Sequence, residues 1–235
     1  MTTNPNILKN FSIRAWHHEL VMKEKEAGKL DTWKSKMIKA NISQEFWSIH
    51  LQNFSGDAKA KALVEQYCEN IDEALGKGIG FCFTGKHGVG KTSLLMIILK
   101  QALQHGYSAF YITLADLFRQ IYLGFEYKEL LVELNQIFVK TQFLAIGELG
   151  RDYHRKSSGQ FALSEFDSIM RMRRSMLLPT LLDTNMTPEE LEGTYGEALM
   201  SLFASSLKLV QVSGKDFRKT VQKKVVEDFF NEGEG

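Results

Sequence analysis

The stretch Gly85-Lys86-His87-Gly88-Val89-Gly90-Lys91-Thr92 limits what this chain can fold into more than any other feature. An apolar run, residues 79–84, precedes it, and residues 91–105 after it carry a helical pattern. A strand, a glycine-rich turn and a helix in that order bring backbone N–H groups and a helix N-terminus together around an anion. Glycines let the main chain wrap phosphate groups without side-chain clashes. Lys91 is then placed to reach β- and γ-phosphates, and the Thr92 hydroxyl to ligate Mg²⁺. Residues Gly85 to Thr92, with Ser93 next in line, read as a nucleoside-triphosphate site, with ATP and Mg²⁺ the expected ligands. The bland alternative, a glycine-rich turn beside a surface lysine, leaves the flanking strand and helix without a reason.

Around this loop the chain alternates. Short apolar runs at 79–84, 108–113, 142–147, 180–184 and 207–212 have the continuous character of buried strands. Helical patterns separate them at 91–105, 114–123, 127–140, 160–174 and 188–204. This predicts an α/β fold: a five-stranded, mostly parallel sheet with helices on both faces. One helix start is well marked, because Thr187 can cap, Pro188 suits the first turn and Glu190 completes a capping box. A further helix is expected over 57–75, where Leu63, Tyr67, Ile71 and Leu75 recur at four-residue spacing, with Gly76 and Gly78 ending it.

Residues 1–40 form a short helical N-terminal segment with Gly28 as a weak point. Too small to hold a core of its own, it either packs on the main domain or docks a partner. The main domain is expected over 41–220, and 221–235 form a C-terminal helix or tail. The net charge of +1 gives no global field toward nucleic acid or membrane, so any polyanion surface must be a local patch. Cys68 and Cys82 lack further Cys or His at metal-ligand spacing, which argues against a zinc site and for buried thiols in a reducing compartment. The longest apolar run, Leu94 to Leu99, is far short of a bilayer span, and the N-terminus lacks a secretory pattern. A cytoplasmic protein without membrane contact is expected.

Several segments in order resemble one family. These are Asn53-Phe54-Ser55-Gly56-Asp57, Tyr67-Cys68-Glu69-Asn70 and Gly80 to Gly85 before the phosphate loop. After it come Phe143 to Gly150, Leu178 to Asn185, Tyr195-Gly196-Glu197-Ala198-Leu199 and Gly214-Lys215-Asp216-Phe217-Arg218. Together they resemble the AAA+ helicase loaders of the DnaC/DnaI type and the related IstB-type transposition ATPases. The resemblance spans about residues 41 to 220. It implies a five-stranded AAA+ P-loop core that binds ATP between subunits, self-associates, and works with a hexameric replicative DNA helicase on single-stranded DNA.

Within that resemblance Glu148 stands where the water-activating base belongs, and Asn185 where a sensor orients water against the γ-phosphate. The position before Glu148 should hold a metal-binding acid, yet it is Gly147. On a strand Asp183 and Asn185 share a face, so Asp183 is the acid placed to compensate, unless it is merely a strand-end hydrogen bonder. Arginines that reach a neighbour's ATP are expected after Tyr195, but Ala198 and Leu202 stand there. Arg171, Arg173, Arg174 and Arg218 are the substitutes to consider. An arginine acting in trans is worth about 10³–10⁵ in rate, so its loss together with that of the first acid predicts a weak ATPase.

For single-stranded DNA the loop after Glu148 combines basic and aromatic groups. Arg151, Arg155 and Lys156 suit phosphates and Tyr153 suits base stacking, with a solvated polar loop as the alternative. Three functional readings follow. The first is an ATP-dependent loader or regulator of a replicative helicase. The second is an IstB-type helper that binds DNA and recruits a transposase. The third is a nucleotide-binding tether that does not hydrolyse.

Overall fold

The computed structural model describes residues 32–126, 132, 134, 136–150 and 159–217. The earlier part of the expected N-terminal helix, much of the helix expected over 127–140 and the C-terminal tail lie outside them.

The chain enters with α1 (Thr32–Lys39) and a single 3₁₀ turn (Gln44–Phe46), followed by α2 (Ala58–Glu69) and α3 (Ile71–Lys77). Then come β1 (Gly80–Thr84), α4 (Lys91–Gln104), β2 (Ala109–Thr113), α5 (Leu114–Glu126) and β3 (Phe143–Leu149). The last elements are α6 (Gly159–Ser175), β4 (Thr180–Thr184), α7 (Pro188–Ala204) and β5 (Leu207–Gln211). The five strands form one sheet in the order β2-β3-β4-β1-β5, and every pairing is parallel. β1, which feeds the phosphate loop, lies between β4 and β5.

The sheet separates two cores. Phe81, Phe83, Ala145, Leu181 and Val210 face α2 and α4, meeting Val64, Leu94 and Ile98. Cys82, Leu144, Ile146 and Leu182 face the other way and meet Leu117, Phe166 and Leu199 of α5, α6 and α7. Central strands buried on both sides are why these segments read as continuous apolar runs rather than alternating ones.

Several details depart from the sequence pattern. The helix expected over 57–75 is two helices that break at Asn70 (φ −114°, ψ 32°), and Gly78, in the left-handed region, ends the second; Gly76 stays helical. The capping box of α7 forms as expected, with Thr187 N–H donating to Glu190 Oε2 (2.8 Å) and Glu190 N–H to Thr187 Oγ1 (3.2 Å). The same helix kinks at Gly196 (φ 80°).

Residues 37–42 pack on the main core, with Met37, Ile38, Ala40 and Ile42 buried. They also cover the outer edge of β2: Tyr111 N–H donates to Ala40 O (2.9 Å) and Asn41 Nδ2 donates to Tyr111 O (2.9 Å). Lys100, buried on α4, donates to the carbonyls of Phe46, Trp47 and Ile49 and so fastens the 3₁₀ turn to the domain; burial lowers its pKa to about 8.

Candidate nucleotide site

The loop after β1 turns through left-handed conformations at Gly88 (φ 75°) and Gly90 (φ 96°). A β-carbon at Gly90 would lie 2.8 Å from Phe54 Cε2, so that ring closes one side of the loop. A β-carbon at Gly88 would run into the Asp216 carboxylate, and Phe217 N–H donates to Gly88 O (3.0 Å). The segment after β5 is therefore seated on the loop, and Asp57 ties it down. Asp57 caps α2 through Oδ1, which accepts from Lys59 N–H (2.9 Å) and Ala60 N–H (3.0 Å), while its Oδ2 accepts from the N–H and hydroxyl of Ser213. The Ser213 hydroxyl is the main reason the Asp57 carboxyl is held down at about 2. Phe54, Asp57, Asp216 and Phe217 fall in segments that the family resemblance marked, but their packing on the loop had no signature of its own.

Lys91 opens α4 and points into the mouth of the loop. Its ammonium donates to Gly85 O (2.8 Å), Lys86 O (2.7 Å) and Asn185 Oδ1 (2.8 Å). Thr92 donates its hydroxyl proton to Asp183 Oδ2 (2.8 Å), leaving its lone pairs for a cation. Asp183 Oδ1 accepts the backbone N–H of Glu148 (2.7 Å). Lys91, Thr92, Glu148, Asp183 and Asn185, all singled out in the sequence, thus converge at the C-terminal ends of β1, β3 and β4.

The β3–β4 ladder explains how Glu148 is presented. Ile146 pairs with Leu182 and Leu149 with Thr184, so Gly147 and Glu148 together oppose the single residue Asp183. This is a bulge, and it carries Glu148 at φ 60°, a strained conformation for a non-glycine residue. Asp183 fills the space opposite it, 2 % exposed. Burial pushes its carboxyl up from the ordinary value, opposed by the Glu148 amide, the Thr92 hydroxyl and the Lys91 ammonium.

Gly147 has a structural partner that the sequence did not reveal. A β-carbon there would meet the Tyr111 ring, 2.9 Å from Cε2 and 3.0 Å from Cζ, with the hydroxyl nearer still. Tyr111 reaches across from β2 and occupies the space beside β3 at this point. No linear pattern joins positions 111 and 147; only strand pairing does.

Among the described residues no cluster of three or more His, Cys, Asp or Glu side chains forms. Mg²⁺ needs none here, because it is typically held by one or two protein oxygens together with substrate phosphates and waters. Thr92 Oγ1 and the Asp183 carboxylate are hard oxygen donors side by side at the helix N-terminus, and they fit that pattern.

The arginine candidates sort clearly. Arg173 is corrected: fully buried in α6, it donates to Phe138 O, Thr141 O, Gln142 O, Pro179 O and Thr180 Oγ1, so it is an internal tie that cannot reach a neighbouring subunit. Arg171 is exposed, ion-paired to Asp167 (2.6 Å), and lines a groove of about 340 Å³ with Tyr195 and Ala198. The fold therefore brings Arg171 beside the position where an arginine was expected and alanine stands. Arg174 is half-buried on the same helix. Arg218 and the DNA-binding candidates Arg151, Tyr153, Arg155 and Lys156 lie outside the described residues. No helix among the described residues is long and apolar enough to cross a membrane.

Comparison with known proteins agrees with this geometry. The replicative helicase loader DnaC of Escherichia coli (strain K12) is 30% identical over 152 residues, which are 62% of this chain and 57% of the relative. The replicative helicase loader DnaI of Bacillus subtilis (strain 168) is 28% identical over 130 residues, 55% of this chain and 40% of that protein. The chain thus aligns with roughly half the length of these relatives. Among solved structures, a crystal structure of the DnaC helicase loader superposes with a TM-score of 0.64 at 21% identity, covering 73% of this chain and 100% of that one. The replication initiator DnaA bound to AMPPCP and single-stranded DNA superposes with a TM-score of 0.60 at 20% identity, covering 78% of this chain and 56% of that one. At these identities the structural likeness establishes the fold alone, a five-stranded parallel sheet with helices on both faces and a glycine-rich loop after β1. The family model described as IstB-like ATP binding protein matches residues 29–224, most of the chain, and the chain belongs to that family.

Proposed function

We propose that this protein binds Mg²⁺·ATP in the Gly85–Ser93 loop and uses the bound state to load or regulate a replicative DNA helicase on single-stranded DNA. The observation that carries the reading is the convergence of Lys91, Thr92, Glu148, Asp183 and Asn185 on one loop, in a chain akin to replicative helicase loaders. Lys91 would exchange its contacts with Gly85 O, Lys86 O and Asn185 for phosphate oxygens, and Thr92 would hold the cation. Mg²⁺, when bound there, would offset the negative charge of the phosphates. Glu148, aimed by the bulge, would accept a proton from the attacking water, and Asn185 would orient that water. Gly147 and Ala198 support slow turnover, with ATP serving assembly as much as fuel. Subunit contact through the AAA+ face and DNA contact through Arg151, Tyr153, Arg155 and Lys156 belong to the same reading.

The test is a pull-down of the full chain with a hexameric replicative helicase, with and without Mg²⁺·ATP. Nucleotide-dependent retention of the helicase is expected. The family match itself favours one second reading, a transposition helper that recruits a transposase. Retention of a transposase and not of the helicase would establish that reading instead.

A further inference from the structure

Two departures from the expected acidic motif are spatial neighbours. β3 lacks a carboxylate at Gly147, and β4, the next strand, has one at Asp183. Asp183 Oδ2 accepts the Thr92 hydroxyl at 2.8 Å, and its Oδ1 holds the Glu148 amide at 2.7 Å. The space a carboxylate on β3 would need is filled by the Tyr111 ring. The bulge sets Gly147 and Glu148 against one residue of β4, Asp183. The Asp183 contacts and the Tyr111 packing are separate observations, and both are what a carboxylate moved from one strand to the next requires.

We propose that Asp183 supplies the metal-side carboxylate of the nucleotide site from β4, in place of one on β3, with Tyr111 filling the volume left beside Gly147. The proposal rests on the reading that the loop takes Mg²⁺·ATP, and names the group that makes binding metal-dependent. Thr92 keeps its hydrogen bond to Asp183 while its lone pairs face the cation, so that bond need not break on binding. Because the second carboxylate oxygen fixes Glu148, Asp183 also positions the base. Metal status and base orientation thus share one side chain. An acid on β3 would leave Asp183 redundant; here its removal leaves Thr92 and the Glu148 amide without a shared acceptor.

The experiment titrates a fluorescent ATP analogue onto the full chain in excess Mg²⁺ and in EDTA, and measures Mn²⁺ binding with ATP by electron paramagnetic resonance. Wild type is expected to bind more tightly with Mg²⁺. Asp183→Asn keeps the shape of the side chain and should lose about tenfold or more in metal-dependent affinity and in Mn²⁺ binding, with metal-free affinity within about twofold, a range suited to disturbing the shell around a metal. Should Asp183→Asn not fold, the triple variant Gly147→Asp, Tyr111→Thr, Asp183→Thr returns the acid to β3 and should show metal-dependent binding. Undiminished metal dependence in folded Asp183→Asn, or none in the folded triple variant, overturns the relocation alone. Wild type that binds nucleotide no better than Lys91→Ala under either condition overturns the ATP reading and the relocation with it.

Discussion

Lys91 and Asn185, 94 positions apart in sequence, are joined by a 2.8 Å hydrogen bond from the ammonium to the side-chain carbonyl. The bond ties the loop lysine to the residue proposed to orient water. Their roles separate on mutation. Lys91→Ala removes a charge aimed at phosphates and should weaken ATP binding by about a hundredfold or more, a loss in keeping with charge-assisted hydrogen bonds in a partly desolvated site. Asn185→Ala should leave affinity within a few-fold and lower turnover by about 10- to 100-fold, because its contact matters when water attacks. Equilibrium binding of a fluorescent ATP analogue and phosphate release on the same preparations separate the two. Equal losses in both assays for Asn185→Ala would show that it only supports the lysine.

The groove shared by Arg171 and Ala198 carries the second prediction. If Arg171 serves a neighbouring subunit's nucleotide, its removal should act only where subunits meet. Arg171→Ala should leave ATP affinity unchanged and lower turnover by tenfold or more at protein concentrations that assemble, against the roughly 10³–10⁵ contributed by arginine fingers in efficient enzymes. Dilution below the assembly threshold should erase the difference from wild type. Phosphate release measured across a concentration series, with light scattering for assembly, checks this. An effect that persists in the monomer places Arg171 in a purely local role with Asp167.

Some of this site was legible in the sequence and some was not, and the division is physical. Phosphate-loop residues lie within eight consecutive positions and are fixed by local geometry, so Lys91 and Thr92 could be read directly. The strands could be read because burial on both faces makes them continuously apolar. β3 ran two residues further than its pattern, through Leu149, because Leu149 resumes pairing with Thr184 beyond the bulge. Tyr111 against Gly147 and the break at Asn70 were set by tertiary contacts that leave no periodic trace. Arg173 looked like a surface arginine because its acceptors, the carbonyls of Phe138, Thr141 and Gln142, lie more than 30 positions away.

Arg173 itself gives the third prediction. It is fully buried and satisfies four carbonyls and a hydroxyl that join the start of β3, the end of α6 and the start of β4. Arg173→Met should destabilise the domain by about 3 kcal/mol or more, since buried carbonyls lose their donor and each unsatisfied buried group costs about 1–3 kcal/mol. Arg173→Lys should recover little, since an ammonium lacks the planar fork that reaches all five acceptors. Urea midpoints report both. ATP affinity of the remaining folded fraction should be unchanged, which an arginine acting on nucleotide would not allow.

The thiols predict behaviour in alkali. Burial pushes Cys68 and Cys82 up to about 12, with neighbouring Glu65, Glu69 and Asp183 adding to the effect. Unfolded thiols titrate near about 8.5. A raised acid keeps its proton in the native state while the unfolded chain loses it, so this contribution is intact below about pH 8.5 and fades as pH climbs toward 12. Lys100, held down at about 8 by burial, acts in the opposite direction above that pH. The difference between wild type and Cys82→Ala, measured by urea unfolding at pH 7 and pH 10, isolates the thiol. The variant should lose less stability than wild type over that interval. Native protein should react with a thiol reagent many-fold more slowly than urea-unfolded protein, and equal rates would contradict the burial of both cysteines.

Asp57 predicts the acid limb. Its carboxylate bonds to Ser213 through the side-chain hydroxyl and the backbone N–H and caps α2 through Lys59 and Ala60, and these contacts hold its pKa at about 2. The unfolded carboxyl titrates near about 3.9. A depressed carboxylate contributes stability above the unfolded value and loses it as pH falls through the folded one, so the window is about pH 4 down to pH 2. The group is largely solvated, and screening reduces its contribution to about 1 kcal/mol, comparable to a helix cap. Asp57→Asn keeps an oxygen to cap α2 but carries no charge and cannot accept both Ser213 donors as the carboxylate does. Its thermal midpoint should lie a few degrees below wild type at pH 7, and the gap should close by pH 2. The same substitution frees the segment that seats Asp216 and Phe217 on Gly88, so ATP affinity at pH 7 should fall severalfold while Lys91 and Thr92 stay in place. A gap in thermal midpoint that persists undiminished to pH 2 would mean that the Asp57 charge contributes nothing, and that only the shape of the cap matters.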